Sequence, residues 1–249
     1  MTIISVRQKS IEKAVATVYP NTFHGACIFH LLNNNKVNFR AHREDLTLNF
    51  VKAAKTYNTK SFGGYMSELD KIDSRIRPYL HRIRYKYWSR CHCPTKRYTM
   101  MTSNIAQLIN LAILARRTLP ITTMMGSLRS LVQKRVWTNS NEAHRTFTKV
   151  SIVVGKILRD NFMQARKYEV TPVTTILHQV NVLGKGKFLV NLLDKLFECD
   201  RFQQDEIPCA HAIAVFSKRA LRVYDYVANY YKTDKMKATY DTTTNPLHK

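Results

Sequence analysis

The spacing of apolar positions predicts one short strand followed by helices in the first ninety residues. Residues 2–6 are mostly β-branched and typical of a strand, and residues 9–19 carry apolar positions at helical spacing that stop before Pro20. The apolar run at 25–32 is either a second strand or the head of a helix. From about 40 to 90 the pattern is helical, with breaks predicted at Gly63 and Gly64 and near Pro78.

The second half of the chain mixes helical and strand patterns. Asn104 precedes an apolar stripe that predicts a helix, and residues 156–168 predict another. Two β-rich runs around a glycine-containing turn then indicate a hairpin, and residues 209–220 indicate a short helix. The polar tail, residues 236–249, is expected to be loosely ordered. The predicted fold class is α+β and mostly helical.

The charge of the chain points to a polyanionic partner. Its 249 residues include 40 Lys and Arg against 17 Asp and Glu, a net charge of +23, which favours nucleic acid ahead of an acidic membrane surface. Residues 74–141 hold thirteen of the cations and no acidic residue, whereas five acidic residues lie within 194–206. We expect DNA to be the partner.

Neither a membrane span nor a disulfide framework is expected. The longest weakly charged stretch, residues 98–115, contains Thr, Ser, Asn and Gln, and the first residues lack the apolar run of a signal peptide. The five cysteines are odd in number and irregularly spaced. We therefore expect a reducing, intracellular environment, in which closely placed Cys and His are more often metal ligands than disulfides.

Cys199, Cys209 and His211 are the candidate metal ligands. Thiolate sulfur and imidazole nitrogen are the donors that zinc prefers, and Cys209 and His211 can face one ion if the chain is extended between them. Cys199 can return to them from the end of the hairpin. The alternative is a buried cysteine beside a core histidine at a helix start.

A hairpin, a cysteine knuckle, the run from Phe202 to Ala214 and a helix resemble the SWIM-type zinc finger of Mutator-like transposases. That resemblance implies zinc as a cofactor, with Cys199, Cys209 and His211 as ligands. The family pattern has a further cysteine where this chain has Phe197. The ligand set is therefore one thiolate short, and Glu198, Asp200 or a water is expected to complete it.

Other segments also resemble the Mutator-like transposases: residues 5–34, 96–121, 156–162, 170–173 and 224–231. This resemblance implies an RNase H-like core with a helical insertion, in which three carboxylates hold two divalent ions. The chain begins after the strand that carries the first carboxylate, Val6 occupies the second position and Gln107 the third. With no acidic residue expected near either, we predict that the chain is not an enzyme. Gln107 equally suits a capping box after Asn104.

The segment from 75 to 90 interleaves cations with aromatic residues. Cations neutralise phosphates, and aromatic rings can stack on unpaired bases. The alternative is an amphipathic helix with its aromatics in the core and its cations in solvent. The candidate nucleic-acid-binding residues are Arg75, Arg77, Arg82, Arg84, Lys86 and Arg90.

Two further cysteine motifs have plainer interpretations. Cys27 and His30 match a Cys-x-x-His pair of the transposase pattern, but two donors alone favour a core histidine. Cys91 and Cys93 have no counterpart in that pattern, and chance explains their spacing.

Taken together, the residues and the resemblance predict four parts: a partial transposase core at 1–135, a helical connector at 136–175, a SWIM-type zinc finger at 176–218 and a tail at 219–249. The expected protein is a catalytically inactive relic, or a domesticated fragment, of a Mutator-like transposase that binds DNA nonspecifically in the nucleus. The alternatives are a metal-dependent transposase or nuclease complemented by another chain, and a zinc-finger adaptor that binds proteins.

Overall fold

A computed structural model describes residues 2–39, 43–98, 100–103, 111, 114 and 116–241. The chain forms two compact units, Met1–Leu108 and Ile109–Lys249. Most of the helix predicted after Asn104 lies outside the described residues, as does Gln107; Leu111 and Leu114, which are described, are helical.

The first unit begins with two parallel strands joined by a helix. The strands pair in register from Thr2 opposite Phe23 to Ser5 opposite Ala26. This confirms the predicted strand and helix, and it divides the ambiguous apolar run at 25–32 between a strand and the helix that follows it. The elements are β1 (Thr2–Ser5), α1 (Lys9–Val18), β2 (Phe23–Ala26) and α2 (Ile28–Asn38).

Aromatic and aliphatic side chains from the next helices form the core of this unit. The indole of Trp88 is fully buried, stacks on Phe50 with ring centroids 5.3 Å apart, and donates its Nε1–H to the Leu80 carbonyl. Apolar residues along one face of the helix Arg43–Lys55, Leu46 among them, are buried as their spacing predicted. The elements are α3 (Arg43–Lys55), α4 (Thr59–Ile72), α5 (Ile76–Arg82) and a 3₁₀ helix (Tyr85–Tyr87).

The prediction of a break at Gly63 and Gly64 is wrong, because α4 runs through both. Asn58 caps this helix by accepting a hydrogen bond from the Ser61 amide at 2.7 Å. Its apolar residues Phe62, Met66 and Leu69 are all buried. Burial of that stripe outweighs the roughly 1 kcal/mol by which each glycine disfavours a helix relative to alanine. The prediction of a break near Pro78 agrees better with the structure. Pro78 lies in the first turn of α5, where a residue without an amide hydrogen is tolerated.

A buried arginine ties β2 to the chain after the 3₁₀ helix. The Arg97 guanidinium donates to the carbonyls of Ala26 at 2.9 Å and Tyr87 at 3.0 Å. It can approach β2 so closely because Gly25 has no side chain: a Cβ built there would lie 3.1 Å from the Arg97 Nη2. Gly25 is therefore required by packing.

The second unit combines helices with a four-stranded antiparallel sheet, in which the strands lie side by side in chain order. No helix among the described residues has both the length and the apolar character needed to cross a bilayer. The boundary predicted at residue 135, between the transposase core and the helical connector, falls inside the helix Ile121–Arg145. The elements are α6 (Ile121–Arg145), α7 (Ile152–Ala165), β3 (Glu169–Pro172), β4 (Leu177–Val182), β5 (Gly186–Asn191), β6 (Leu196–Phe197), α8 (Arg201–Asp205), α9 (Ala210–Lys218), two 3₁₀ helices (Val223–Tyr226 and Asn229–Tyr231) and α10 (Thr233–Tyr240).

Helix α9 is the centre of this unit. It packs on α7 and on strands β3, β4 and β5. The alternate residues Val180 and Val182 of β4 and Val190 of β5 are buried, and so are all residues of α9 from Ala212 to Phe216. The predicted hairpin, the predicted helix over 209–220 and the mostly helical α+β class are confirmed.

The expectation of a loosely ordered tail is wrong for residues 236–240, which form the end of α10. This helix packs on α6, where the Tyr240 hydroxyl accepts a hydrogen bond from the Asn139 side chain at 3.1 Å. Tertiary contact therefore orders a segment whose composition indicated a loop. Residues 242–249 lie outside the described ranges.

Gly25→Ala is expected to destabilise the protein by about 1–3 kcal/mol, because the new methyl group displaces the Arg97 guanidinium from two carbonyls. Urea unfolding followed by tryptophan fluorescence measures the change. Gly63→Ala is the matched control: it lies in α4 with open space around it and is expected to stabilise by about 0.5–1 kcal/mol. Equal midpoints for Gly25→Ala and the wild type would contradict the packing role.

Candidate metal centre

Cys199 is positioned by the turn that follows β6. The carbonyl of Phe197 accepts hydrogen bonds from the Asp200 amide at 2.8 Å and from the Gln203 side chain at 2.8 Å. Asp200 has a left-handed backbone conformation, with φ of 54°, which turns the chain into α8. These contacts hold Cys199 at the end of the sheet.

Cys209 is held at the N-terminus of α9, on the other side of the site. The buried side chain of Asn161 in α7 donates to the Pro208 carbonyl at 2.8 Å and so fixes the residue before it. Cys209 itself is extended, and its Sγ accepts the amide of Ala212 at 3.5 Å, as a helix cap does. The side chain is buried, so its sulfur faces protein.

His211 follows on the first turn of α9. Its ring stacks on Tyr168 with centroids 5.2 Å apart and lies 4.3 Å from the ring of Phe188, measured between centroids. Its Nδ1 atom is enclosed and has no hydrogen-bond partner. A buried imidazole nitrogen without a hydrogen-bond partner raises the free energy of the folded protein, so a ligand at this nitrogen would be stabilising.

The three side chains converge. One donor atom from each of Cys199, Cys209 and His211 lies within 4.8 Å of the other two, the only such group of three among the described residues. The two Sγ atoms are 3.5 Å apart. Two thiolates on one tetrahedral zinc ion stand about 3.8 Å apart, given a Zn–S distance of about 2.3 Å. The donor types and the sulfur spacing both fit zinc.

The two thiols divide their protons unequally. The hydrogen bond with Cys209, helped by His211, lowers the pKa of Cys199 to about 4 although burial opposes this. The same hydrogen bond and burial raise the pKa of Cys209 well above its usual value. The close contact of the two sulfur atoms therefore favours one proton and one negative charge shared by the pair.

Phe197, which stands where the zinc-finger pattern has a cysteine, belongs to the hydrophobic core. It is 2% exposed, and its ring packs edge-on against Phe202 at 4.8 Å. Glu198 accepts the Leu189 amide through its Oε2 at 2.7 Å, so that oxygen already has a partner. Asp200 is largely exposed, and the partial desolvation of its carboxyl, together with the negative charge of Cys199, raises its pKa.

The other two cysteine motifs lie in the first unit. Cys27 is buried at the N-cap of α2 and accepts the amide of Ser103 at 3.3 Å. Burial works against its ionisation, but hydrogen bonds from Ser103 and His30 lower the pKa of Cys27 to about 7. Cys91 lies 3.2 Å from the Nδ1 of His92, measured from Sγ. Within the described residues neither motif gathers three metal donors.

Val6 lines a cavity of about 410 Å³ at the carboxyl ends of β1 and β2. Arg7, His24 and Arg82 line it too, and so does Glu12 from the first turn of α1. We expected no acidic residue near Val6, and the position of Glu12 corrects that expectation. The helix between the two strands places its first turn, with Glu12, beside the strand ends.

The six candidate phosphate-binding residues differ in what surrounds them. Arg75 and Arg77 form ion pairs with Asp73 at 2.7 Å and Asp70 at 2.5 Å. Arg90 is buried, with its guanidinium 4.4 Å from the centre of the Tyr57 ring. The remaining three are exposed to solvent: Arg82, Arg84 and Lys86.

The aromatic residues between these cations contact other parts of the protein. Trp88 is buried, and Tyr87 stacks on Phe23 with centroids 5.6 Å apart. Tyr85 packs edge-on against Phe62 at 5.0 Å. These contacts favour the amphipathic interpretation of the segment, with aromatic rings inward and cations outward.

Sequence reasoning missed the residues that support the metal centre. Tyr168 and Phe188 flank His211, and Asn161 anchors the chain before Cys209. They lie 43, 23 and 48 positions from the residues they serve, and no local pattern links them. One sequence signal was available for these supporting residues: Asn161 is a polar residue on the apolar face of α7.

Comparison with protein families agrees with this geometry. Residues 198–220 match the SWIM zinc finger family, a segment that contains all three donors. Comparisons with curated proteins and with solved structures each gave no match. The chain therefore contains a SWIM zinc-binding module, formed around Cys199, Cys209 and His211.

Proposed function

We propose that Cys199, Cys209 and His211 hold one zinc ion and that this ion is structural. The observation that carries the proposal is the convergence of the three donor atoms within 4.8 Å, inside the segment that matches the SWIM family. When bound, zinc supplies a cross-link between the end of β6 and the start of α9. Because such a site does not exist in the unfolded chain, its binding free energy adds to folding.

The residues of the site prepare it for metal binding in different ways. The hydrogen bond with Cys209 lowers the pKa of Cys199 and so favours its thiolate form. Cys209 must release its proton, and the amides at the N-terminus of α9 favour the charge that remains. Tyr168 and Phe188 fix the plane of the His211 ring, so little side-chain freedom is left to lose on binding.

We further propose that the chain is an inactive relic or domesticated fragment of a Mutator-like transposase and acts in the nucleus. The parallel β-α-β arrangement, with a cavity at the carboxyl ends of its strands, supports this origin. Beside Val6, Glu12 is the one carboxylate among the described residues that line the cavity. One carboxylate is too few to hold two divalent ions, which supports the absence of catalysis.

DNA binding is the second candidate function, and the exposed cations favour it. Arg82, Arg84 and Lys86 project from the end of α5 and the turn after it. Among the described residues, none of these three cations forms an ion pair with an acidic residue, so all three are available to phosphates. The aromatic rings beside them are packed inward, which favours phosphate contact over base stacking. Such contacts do not distinguish DNA sequences.

Zinc is expected to bind at one equivalent and to release about one proton near neutral pH, because the raised pKa of Cys209 keeps that thiol protonated in the free protein. The affinity should therefore rise about tenfold per pH unit between pH 7 and 9. Calorimetry in buffers of different ionisation enthalpy measures the protons released.

Cys209→Ser is expected to abolish this binding. Cys93→Ser removes a thiol outside the site and serves as the matched control, with zinc content unchanged. An affinity independent of pH, or zinc retained by Cys209→Ser, would contradict the assignment.

Nonspecific binding to duplex DNA is expected to weaken with salt, with a slope of log K against log salt of roughly −4 to −7, as for four to eight phosphate contacts. Replacing Arg82, Arg84 and Lys86 together by Ala should flatten that slope by up to about three units on all sequences. Fluorescence anisotropy over a salt series measures both quantities.

The matched control replaces three exposed lysines of the second unit by Ala: Lys167, Lys185 and Lys187. The same net charge is removed at a different place, so the slope should change less. Equal effects of the two triple variants would refute a specific role for the α5 cations.

No strand cleavage or transfer is expected with Mg²⁺ or Mn²⁺, because Val6 offers no ligand and Glu12 is the only carboxylate that the described part of the chain contributes to the cavity. Incubation with supercoiled plasmid and with terminal-repeat DNA tests this. Cleavage that persists through purification and is lost in Glu12→Gln would overturn the proposal in favour of an active or complemented nuclease.

A further inference from the structure

We infer that the zinc ion of this finger keeps one exchangeable coordination position, occupied by water and open to a neutral nitrogen ligand of the imidazole class. The inference rests on the proposed zinc site and goes beyond it. Zinc in proteins takes four ligands when a site is purely structural, whereas three protein ligands leave a position for water or a ligand. The described residues bring three donors together.

The chain uses the neighbouring positions for other contacts. Phe197 directs its ring into the core against Phe202, so the end of β6 contributes packing in place of a donor. Glu198 accepts the backbone amide of Leu189 and so closes the edge between β5 and β6. Asp200 lies outside the group of donors within 4.8 Å. The residues beside Cys199 therefore stabilise the fold and leave the coordination sphere incomplete.

The site also reaches solvent. Of the three donor residues only Cys209 is buried, while Cys199 and His211 are both partly exposed. A small molecule, or a side chain of a partner, can approach from that side. The half-buried rings of Tyr168 and Phe188 flank His211 and give this approach an apolar wall.

The charges around the site select the kind of ligand. Two thiolates neutralise the zinc ion, so an incoming anion meets no net positive charge at the metal. Exposed carboxylates of Glu198 and Asp200 stand beside Cys199 and repel anions further. A neutral imidazole meets neither obstacle, and its nitrogen suits zinc. Free imidazole and a histidine on a partner protein share this chemistry.

Cobalt(II) substitution in the full chain tests the inference, because the visible spectrum of the ion reports its ligands. One equivalent of Co²⁺ is expected to give thiolate charge-transfer bands that are absent in Cys209→Ser. Imidazole should then shift the ligand-field bands saturably, with one molecule bound per ion, while acetate at equal concentration and ionic strength should not. A larger response to acetate than to imidazole would refute the choice of a neutral ligand.

Two variants test whether the chain itself fills the position. Asp200→Asn removes the exposed carboxylate that follows Cys199 in the chain, and His248→Ala removes a histidine outside the described residues. Both variants are expected to leave the cobalt spectrum and its response to imidazole unchanged. A cobalt spectrum that does not change with imidazole would mean that a residue of this chain is the fourth ligand. A spectrum altered by either variant would mean the same. Failure of the zinc proposal itself looks different, since no Co²⁺ would bind at one equivalent.

Discussion

The hydrogen bond between Asn161 and the Pro208 carbonyl fixes the start of α9, and the metal centre depends on where that helix begins. The carbonyl of Pro208 is buried, so it needs a hydrogen-bond donor inside the protein. Asn161 supplies it from the buried face of α7. With the helix start fixed, Cys209 becomes its cap and His211 falls on its first turn, both directed at the thiolate that arrives from β6.

The same packing holds the turn that carries Cys199, although Phe197 stands where the zinc-finger pattern has a cysteine. Phe197 and Phe202 join the sheet to α8 through the core, and Gln203 and Asp200 both bond the Phe197 carbonyl. The turn that presents Cys199 is thus held by contacts that need no metal. In a finger whose knuckle is tethered by metal alone, the loss of a ligand would release the turn. Here the hydrophobic contact keeps the remaining donors in place.

The first unit relies on a different constraint, the approach of the Arg97 guanidinium to β2. A buried cation is tolerated because two carbonyls receive its protons and Gly25 leaves it room. This links β2 to the segment that carries Arg82, Arg84 and Lys86, so those exposed cations project from a braced surface. Five acidic residues lie within 194–206, the segment that carries Cys199, whereas residues 74–141 have none.

Local pattern in the sequence determined the fold class, the hairpin, most helices and the three metal donors, because each of these depends on near neighbours or on donor chemistry. Tertiary packing decided the rest. It carried α4 through Gly63 and Gly64, ordered α10 against α6, and returned Glu12 to the cavity beside Val6. It also placed Tyr168, Phe188 and Asn161 around the metal centre. Those outcomes depend on burial and on contacts between residues distant in the chain, and no local spacing records which distant surfaces will meet.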